Sequence, residues 1–111
     1  MTDWREQEAR NAMVFREMNE WTEEANDARL GTDRPMDDYL CECSDRRCTD
    51  PIRLTRGEYE AVRAVPVRFA IVVNHENPEI DHVLFENSRF ATVERFHGAG
   101  AKIAWATNPR R

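Results

Sequence analysis

Long apolar runs are missing from this sequence: no stretch approaches the roughly 20 apolar residues that a membrane-spanning helix requires. The N-terminal MTDWREQEAR contains neither an apolar h-region nor a basic n-region, so we expect a soluble, cytoplasmic chain. Catalytic signatures are missing too. The H-x-E with P-C-x-x-C pair of zinc deaminases, GxSxG, HExxH, GxxxxGK(S/T) and GxGxxG are all absent, and no catalytic constellation stands out. The neighbouring carboxylates Asp37-Asp38 and Glu58/Glu60 read as solvated or helix-capping groups. No internal repeat or low-complexity segment is present. Cysteine is scarce, with 3 residues in 111, and an odd number cannot be paired completely into disulfides.

Positive charge is short as well. The formal net charge is −5, and residues 1–40 hold 5 basic and 11 acidic side chains while residues 41–111 hold 11 basic and 10 acidic. An acidic arm therefore precedes a nearly neutral body. Sequence-independent binding to nucleic acid needs clustered Lys and Arg to displace counterions from phosphate, and this balance argues against it. Arg46, Arg47, Arg53, Arg56, Arg63 and Arg68 do fall close together. Without interleaved aromatics they read mainly as solvated surface, with an anion- or RNA-facing patch as the alternative. What remains is a 13.0 kDa chain with 41% hydrophobic residues and a mean hydropathy of −0.78, enough apolar surface for one modest core and too much for a disordered chain.

Residues 3–28 contain neither Pro nor Gly, and Asp3 with Glu6 has capping-box spacing, which predicts a long N-terminal helix. Val14, Met18, Trp21, Ala25 and Ala28 follow 4-3-4-3 spacing and fall on one stripe, with Phe15 beside it. Such a stripe needs a cover, either the chain's own body or a helical seam with a second copy or another protein. Trp4 and Trp21 on an acidic helix also fit a recognition surface. The segment GTDRPMDD at 31–38 ends the helix and predicts a linker.

Beyond it, Tyr39-Leu40-Cys41 and Pro51-Ile52-Arg53-Leu54-Thr55 predict strands on either side of the cysteine segment. Thr55 and Glu58 form a second capping box, for a short helix over 56–64 that buries Tyr59, Val62 and Val65 and stops at Pro66. Val67, Phe69, Ile71 and Val73 alternate as a half-buried strand, and Asn74-His75-Glu76-Asn77-Pro78 follows as a loop. Residues 83–85 and 90–96 flank a hairpin connection, Glu86-Asn87-Ser88-Arg89. Gly98-Ala99-Gly100 predicts a turn, Ile103-Ala104-Trp105 a last strand or helical turn, and 107–111 a tail.

All three cysteines lie in Cys41-Glu42-Cys43-Ser44-Asp45-Arg46-Arg47-Cys48, a C-x-C-x4-C spacing. Thiolates are soft donors suited to Zn²⁺, a polar turn can return the third sulfur to the first two, and Arg46 and Arg47 would offset the negative charge. A structural zinc site is four-coordinate, so a fourth ligand is required. Of His75, His82 and His97, only His75 directly follows a predicted core strand. If residues 39–43 and 67–73 lie side by side, the loop at 74–78 reaches the cysteines. We therefore assign His75, with His82 the next choice. A closed Cys3His site contributes folding free energy and leaves no open position for a reactive water, which argues against an enzyme. Three cysteines alone would leave room for water with Glu42 or Asp45 as base, a hydrolase reading, and metal-free thiols would suit a redox sensor.

The combination of Phe15-Arg16-Glu17-Met18-Asn19-Glu20, Leu40-Cys41-Glu42-Cys43, Cys48-Thr49-Asp50-Pro51-Ile52, Leu54-Thr55, Glu58-Tyr59-Glu60-Ala61-Val62-Arg63, Phe69 and His75-Glu76-Asn77-Pro78-Glu79 resembles a family of small uncharacterised actinobacterial proteins. The resemblance covers roughly residues 12–96. That family runs as an R-E-x-N-E helix, a C-E-C-x4-C knuckle, an L-T-x-x-E-Y-E-x-V-R helix and a strand followed by P-G-H-E. Here Val73 and Asn74 stand in place of the proline and glycine, and the family's histidine corresponds to His75. The resemblance implies the fourth ligand and the architecture; it implies no activity.

These readings converge on an α+β fold: a helix at 1–30, a linker at 31–38, a zinc-stabilised body at 39–106 with one small antiparallel sheet and one short helix, and a tail at 107–111. The expected function is a regulatory protein-interaction module that engages a protein partner or a second copy through Val14, Met18 and Trp21. A nucleic-acid-binding zinc module using the Arg46–Arg68 region is the alternative.

Overall fold

A computed structural model describes residues 4–43, 45 and 47–95. Asp3, Ser44, Arg46, Phe96, His97, the turn at 98–100, the element at 103–105 and the tail at 107–111 lie outside the described residues, as does the Trp4 side chain. The elements are α1 (Trp4–Leu30), β1 (Asp37–Leu40), β2 (Pro51–Leu54), α2 (Arg56–Arg63), β3 (Arg68–Ile71), β4 (Asp81–Glu86) and β5 (Ala91–Arg95). The fold is α+β.

Local chemistry accounts for the element ends. Gly31 takes a φ of 78° and donates its N–H to the Asp27 carbonyl at 3.0 Å, closing α1 with the left-handed residue that glycine adopts without a Cβ penalty. Arg34 folds back onto Asp27 at 2.8 Å and Asp37 at 2.6 Å, so the segment between α1 and β1 is pinned at both ends. At α2 the capping box is complete: the Glu58 N–H donates to Thr55 Oγ1 at 3.0 Å and the Thr55 N–H to Glu58 Oε1 at 2.8 Å. Between β4 and β5, Asn87 Oδ1 accepts from the N–H groups of Arg89 and Phe90, at 2.8 and 3.0 Å.

The strands divide between two antiparallel sheets, β1-β2 and β3-β5-β4, where the sequence suggested one. β1 and β2 pair from Asp37↔Leu54 to Leu40↔Pro51, so the cysteine segment is the loop of their hairpin. One further bond follows, from the Cys41 N–H to the Asp50 carbonyl at 3.2 Å, and the chain then leaves that ladder. The expected pairing of 39–43 with 67–73 is reduced to a local junction: the Glu42 N–H donates to the Ala70 carbonyl at 2.8 Å, and the Val72 N–H to Cys41 Sγ at 3.2 Å.

Alternation along β3 separates two parts of the core. Phe69 and Ile71 join Ala91 and Val93 of β5 with Ala12, Cys41, Cys43 and Val67. Ala70 points the other way, into Tyr39, Ile52, Leu54, Tyr59, Val62 and Phe90, and Val72 packs against both groups. The Tyr39 and Tyr59 rings stack at 4.3 Å. Val65 is half-buried, and Val73 lies beyond the end of β3.

The helix stripe is not covered by the chain's own body. Val14 is 49% exposed, Met18 48% and Trp21 78%, and Ala25 and Ala28 are exposed as well. Buried instead are Ala12, Arg16, Asn19 and Glu23, which at about 100° per residue lie on the opposite side of the helix. The reason is that α1 docks through charge and hydrogen bonds. The Arg16 guanidinium sits 4.8 Å over the Phe69 ring and donates to the Pro66 carbonyl at 2.6 Å. Glu20 accepts from Arg63 at 2.7 Å, Glu23 lies 3.4 Å from Arg56, and Asp27 accepts from Arg56 at 2.9 Å. A period search over apolar residues therefore finds the outer face.

Candidate metal centre

Three segments of chain meet at the cysteines. The exit from β1 carries Cys41 and Cys43, the loop before β2 carries Cys48, and the loop after β3 carries His75. Cys41 and Cys43 are buried, while Cys48 and His75 are half-buried at the protein surface. A turn returns the third sulfur, with the Cys48 N–H donating to the Asp45 carbonyl at 3.0 Å. His75 is aimed by its neighbour. Asn74 has a φ of 74°, the left-handed conformation that asparagine tolerates better than most residues, and the His75 N–H closes the turn on the Val72 carbonyl at 3.0 Å.

The potential ligand atoms of Cys41, Cys43, Cys48 and His75 all lie within 4.8 Å of one another. His75 Nδ1 is 3.6 Å from both Cys41 Sγ and Cys48 Sγ. Bonds of about 2.3 Å to sulfur and about 2.05 Å to nitrogen, at tetrahedral angles, require a sulfur-to-nitrogen edge of about 3.6 Å. Those two edges match a tetrahedral zinc ion in size, and the donor set matches it in chemistry. On the far side of the ring, His75 Nε2 faces Asp50 Oδ2 at 3.8 Å. That carboxylate favours a proton on Nε2 and leaves the Nδ1 lone pair for a metal.

Electrostatics inside the cluster are uneven. The hydrogen bond from Cys41 holds the Cys43 thiol down, at about 5, while the same contact and burial push Cys41 up. Burial also raises Cys48. Backbone N–H groups of Val72, Cys43, Asp45 and Asp50 aim at the sulfurs and favour thiolates. Arg47 does not supply the expected compensation: it is turned to solvent and pairs with Asp45 at 3.5 Å.

Glu42, between the first two cysteines, points away from them into the protein. It is fully buried; its Oε2 accepts from Tyr59 Oη at 2.7 Å and Asn19 Nδ2 at 2.9 Å, and its Oε1 from the Ala70 N–H at 3.0 Å. Burial pushes this carboxyl up, against the pull of those three donors. With its side chain engaged there, Glu42 is not placed to serve as base at the cysteines. Asp45, the other candidate base, accepts the Arg47 N–H at 2.9 Å. Asn19 completes the junction by accepting the Leu40 N–H at 2.8 Å and donating to the Leu40 carbonyl at 2.9 Å. Neither Asn19 nor the structural role of Glu42 was visible in apolar periodicity. Strand-like alternation through C-E-C, which turns the middle side chain away from its neighbours, was the available signal for Glu42.

The remaining candidates are dispersed. His82 is an exposed residue of β4 opposite Glu94 and is not among the four clustered residues. The described arginines of the 46–68 region are each beside an acid: Arg47 with Asp45, Arg53 with Asp38, Arg56 with Asp27, Arg63 with Glu20 and Arg68 with Glu94. No described helix is long and apolar enough to cross a membrane. Chemically, four soft or borderline donors within 4.8 Å of one another can chelate a metal and cross-link three segments of chain. No family model, curated protein or solved structure matches the chain.

Proposed function

We propose that Cys41, Cys43, Cys48 and His75 bind one structural Zn²⁺, and that the protein is a regulatory interaction module whose contact surface is the α1 stripe at Val14, Met18 and Trp21. The observation that carries this reading is a contrast within one small molecule. Four ligand atoms converge within 4.8 Å of one another, while Trp21 stands in solvent and Val14 and Met18 are each about half exposed. A core this small gains from a metal cross-link, and an exposed tryptophan in an apolar stripe is what an interface would use. We place the protein in the cytoplasm, where the thiols stay reduced. The resemblance to a family of small actinobacterial proteins, in which a glycine stands where this chain has Asn74, is part of this reading. The nucleic-acid alternative loses its main support because the described arginines of its proposed patch are beside acids.

The test is native mass spectrometry of protein purified without chelator. One zinc per chain is expected in the wild type, with loss in Cys43→Ser, weakened retention in His75→Ala and full retention in His82→Ala. A folded wild type free of metal would remove the zinc reading and turn attention to thiol redox chemistry.

A further inference from the structure

The four clustered ligands differ in what holds them and in what reaches them. Cys41 and Cys43 are buried, whereas Cys48 is half-buried on a surface turn between exposed Arg47 and Thr49. Oxidants in solution therefore meet Cys48 first. The protein fixes the other two cysteines without help from a metal. Glu42, between them, accepts hydrogen bonds from Asn19, Tyr59 and the Ala70 N–H, and its own N–H donates to the Ala70 carbonyl at 2.8 Å. His75 is tied more loosely: it stands beyond the end of β3, and the bond from its N–H to the Val72 carbonyl lies within its own loop. A metal on Nδ1 is what would anchor that loop to the cysteine segment.

The sulfurs are also near enough to one another for a second kind of cross-link. All lie within 4.8 Å, and rotation about their side-chain bonds can close that gap to the roughly 2.05 Å of a disulfide. Two contacts select Cys43 as the partner of Cys48. The Asp45 carbonyl accepts the Cys48 N–H at 3.0 Å and lies 3.9 Å from Cys43 Sγ, so one turn carries both groups. Cys41 Sγ instead accepts the Val72 N–H at 3.2 Å, on the side of β3.

We propose that Cys48 is a peroxide-sensitive zinc ligand, and that its oxidation to a disulfide with Cys43 exchanges a metal cross-link of three segments for a covalent link between two, freeing the His75 loop. This rests on the zinc reading above and adds the regulation of that site to it. The Cys48 thiolate attacks hydrogen peroxide: an S–O bond forms, the O–O bond breaks, and the departing hydroxide takes a proton from solvent to give water. The Cys43 thiolate then attacks the sulfenic sulfur, forming the S–S bond and breaking the S–O bond, and a second hydroxide leaves to become water. The two sulfurs supply the two electrons that reduce the peroxide. Zn²⁺ departs with its charge unchanged, because only Cys41 and His75 of its four ligands remain.

The test uses the full chain, with its zinc content measured before any oxidant is added. A wild type without zinc would remove the zinc reading and this inference together. Hydrogen peroxide is then titrated in the presence of a chromogenic chelator. One zinc released per disulfide is expected, and zinc binding should return once a dithiol reductant has opened the bond. Trypsin cuts after Arg46 and Arg47, so the disulfide should join the peptide that begins at Cys48 to the one that contains Cys43, and fragmentation between Cys41 and Cys43 identifies the partner. Amide hydrogen exchange should rise at residues 74–77 and stay slow at 69–71. Cys48→His keeps a zinc donor at that position and is expected to hold its metal at a peroxide dose that empties the wild type. The wild-type map and exchange decide the matter even where that variant binds no zinc. A Cys41–Cys43 bond, zinc loss without a disulfide, zinc retained with all thiols intact, or unchanged exchange at 74–77 after zinc loss would each overturn the inference and leave the zinc reading standing.

Discussion

Asn19 in the long helix and Glu42 in the cysteine loop meet at 2.9 Å in the protein interior. This bond joins α1 to the residue that separates two sulfurs, so the helix and the candidate metal centre share one buried junction. Tyr59 of α2 and the Ala70 N–H of β3 reach the same carboxylate. Three elements, α1, α2 and β3, are thereby fixed relative to the thiols by hydrogen bonds.

Removing that carboxylate leaves several buried donors without an acceptor. Glu42→Ala is expected to lower stability by on the order of 3 kcal/mol or more, while Glu42→Gln, which keeps one acceptor oxygen, should lose about half as much. Urea unfolding of the zinc-loaded variants, followed by circular dichroism, measures both. An unaffected Glu42→Ala would mean that the junction contributes nothing to the fold.

Asp50 holds the outer side of the His75 ring. If it orients the imidazole for metal binding, Asp50→Ala should weaken zinc retention by about tenfold without unfolding the protein. Competition with a chromogenic chelator reads the change directly. Asp38→Ala, an exposed carboxylate on β1 away from the cysteine loop, is the control and should leave retention as it is.

Asn74 places His75 through a left-handed backbone. Asn74→Gly should keep metal retention and change stability by a few tenths of a kcal/mol, whereas Asn74→Val should cost about 1–2 kcal/mol because a β-branched side chain is strained there. The valine variant should also release zinc faster to a chelator. Equal release rates in the two variants would separate the turn from the metal.

Glu58 links the helix cap to the hairpin. The hydrogen bonds from Arg89, at 2.7 Å, and from the Thr55 N–H bring its carboxyl from an ordinary value of 4.5 down to about 2. A depressed folded-state value means that the ionised form stabilises the fold. The contribution is therefore complete above about pH 4.5 and disappears as pH falls towards 2. Because the pair is partly solvated, about 1 kcal/mol is the expected size. The stability difference between wild type and Glu58→Gln should be constant near neutrality and shrink below pH 4.5. A difference that persisted unchanged to pH 3 would contradict the assignment.

Much of this architecture is legible because it rests on short-range chemistry. The Thr55–Glu58 box, the alternation of Phe69 and Ile71, the turn residues at 87–89 and the C-x-C-x4-C spacing each act within a few residues, and each appears in the structure where the sequence places it. The gathering of His75 with the cysteines is a long-range event. It was reachable only because one histidine follows a core strand directly.

The amino-acid sequence by itself determined the element order, the caps and the presence of three thiols within eight residues, since propensity, hydrophobic period and ligand spacing are local properties of the chain. Only the tertiary structure decided which side of α1 is inside. Apolar periodicity identifies a stripe that water disfavours, and it cannot register a docking face made of Arg16, Asn19, Glu20 and Glu23, whose stabilisation depends on partners that lie from 21 to 50 residues away. The division of the strands into two sheets and the inward turn of Glu42 were decided in the same way, by hydrogen bonds between distant segments that have no signature in sequence spacing.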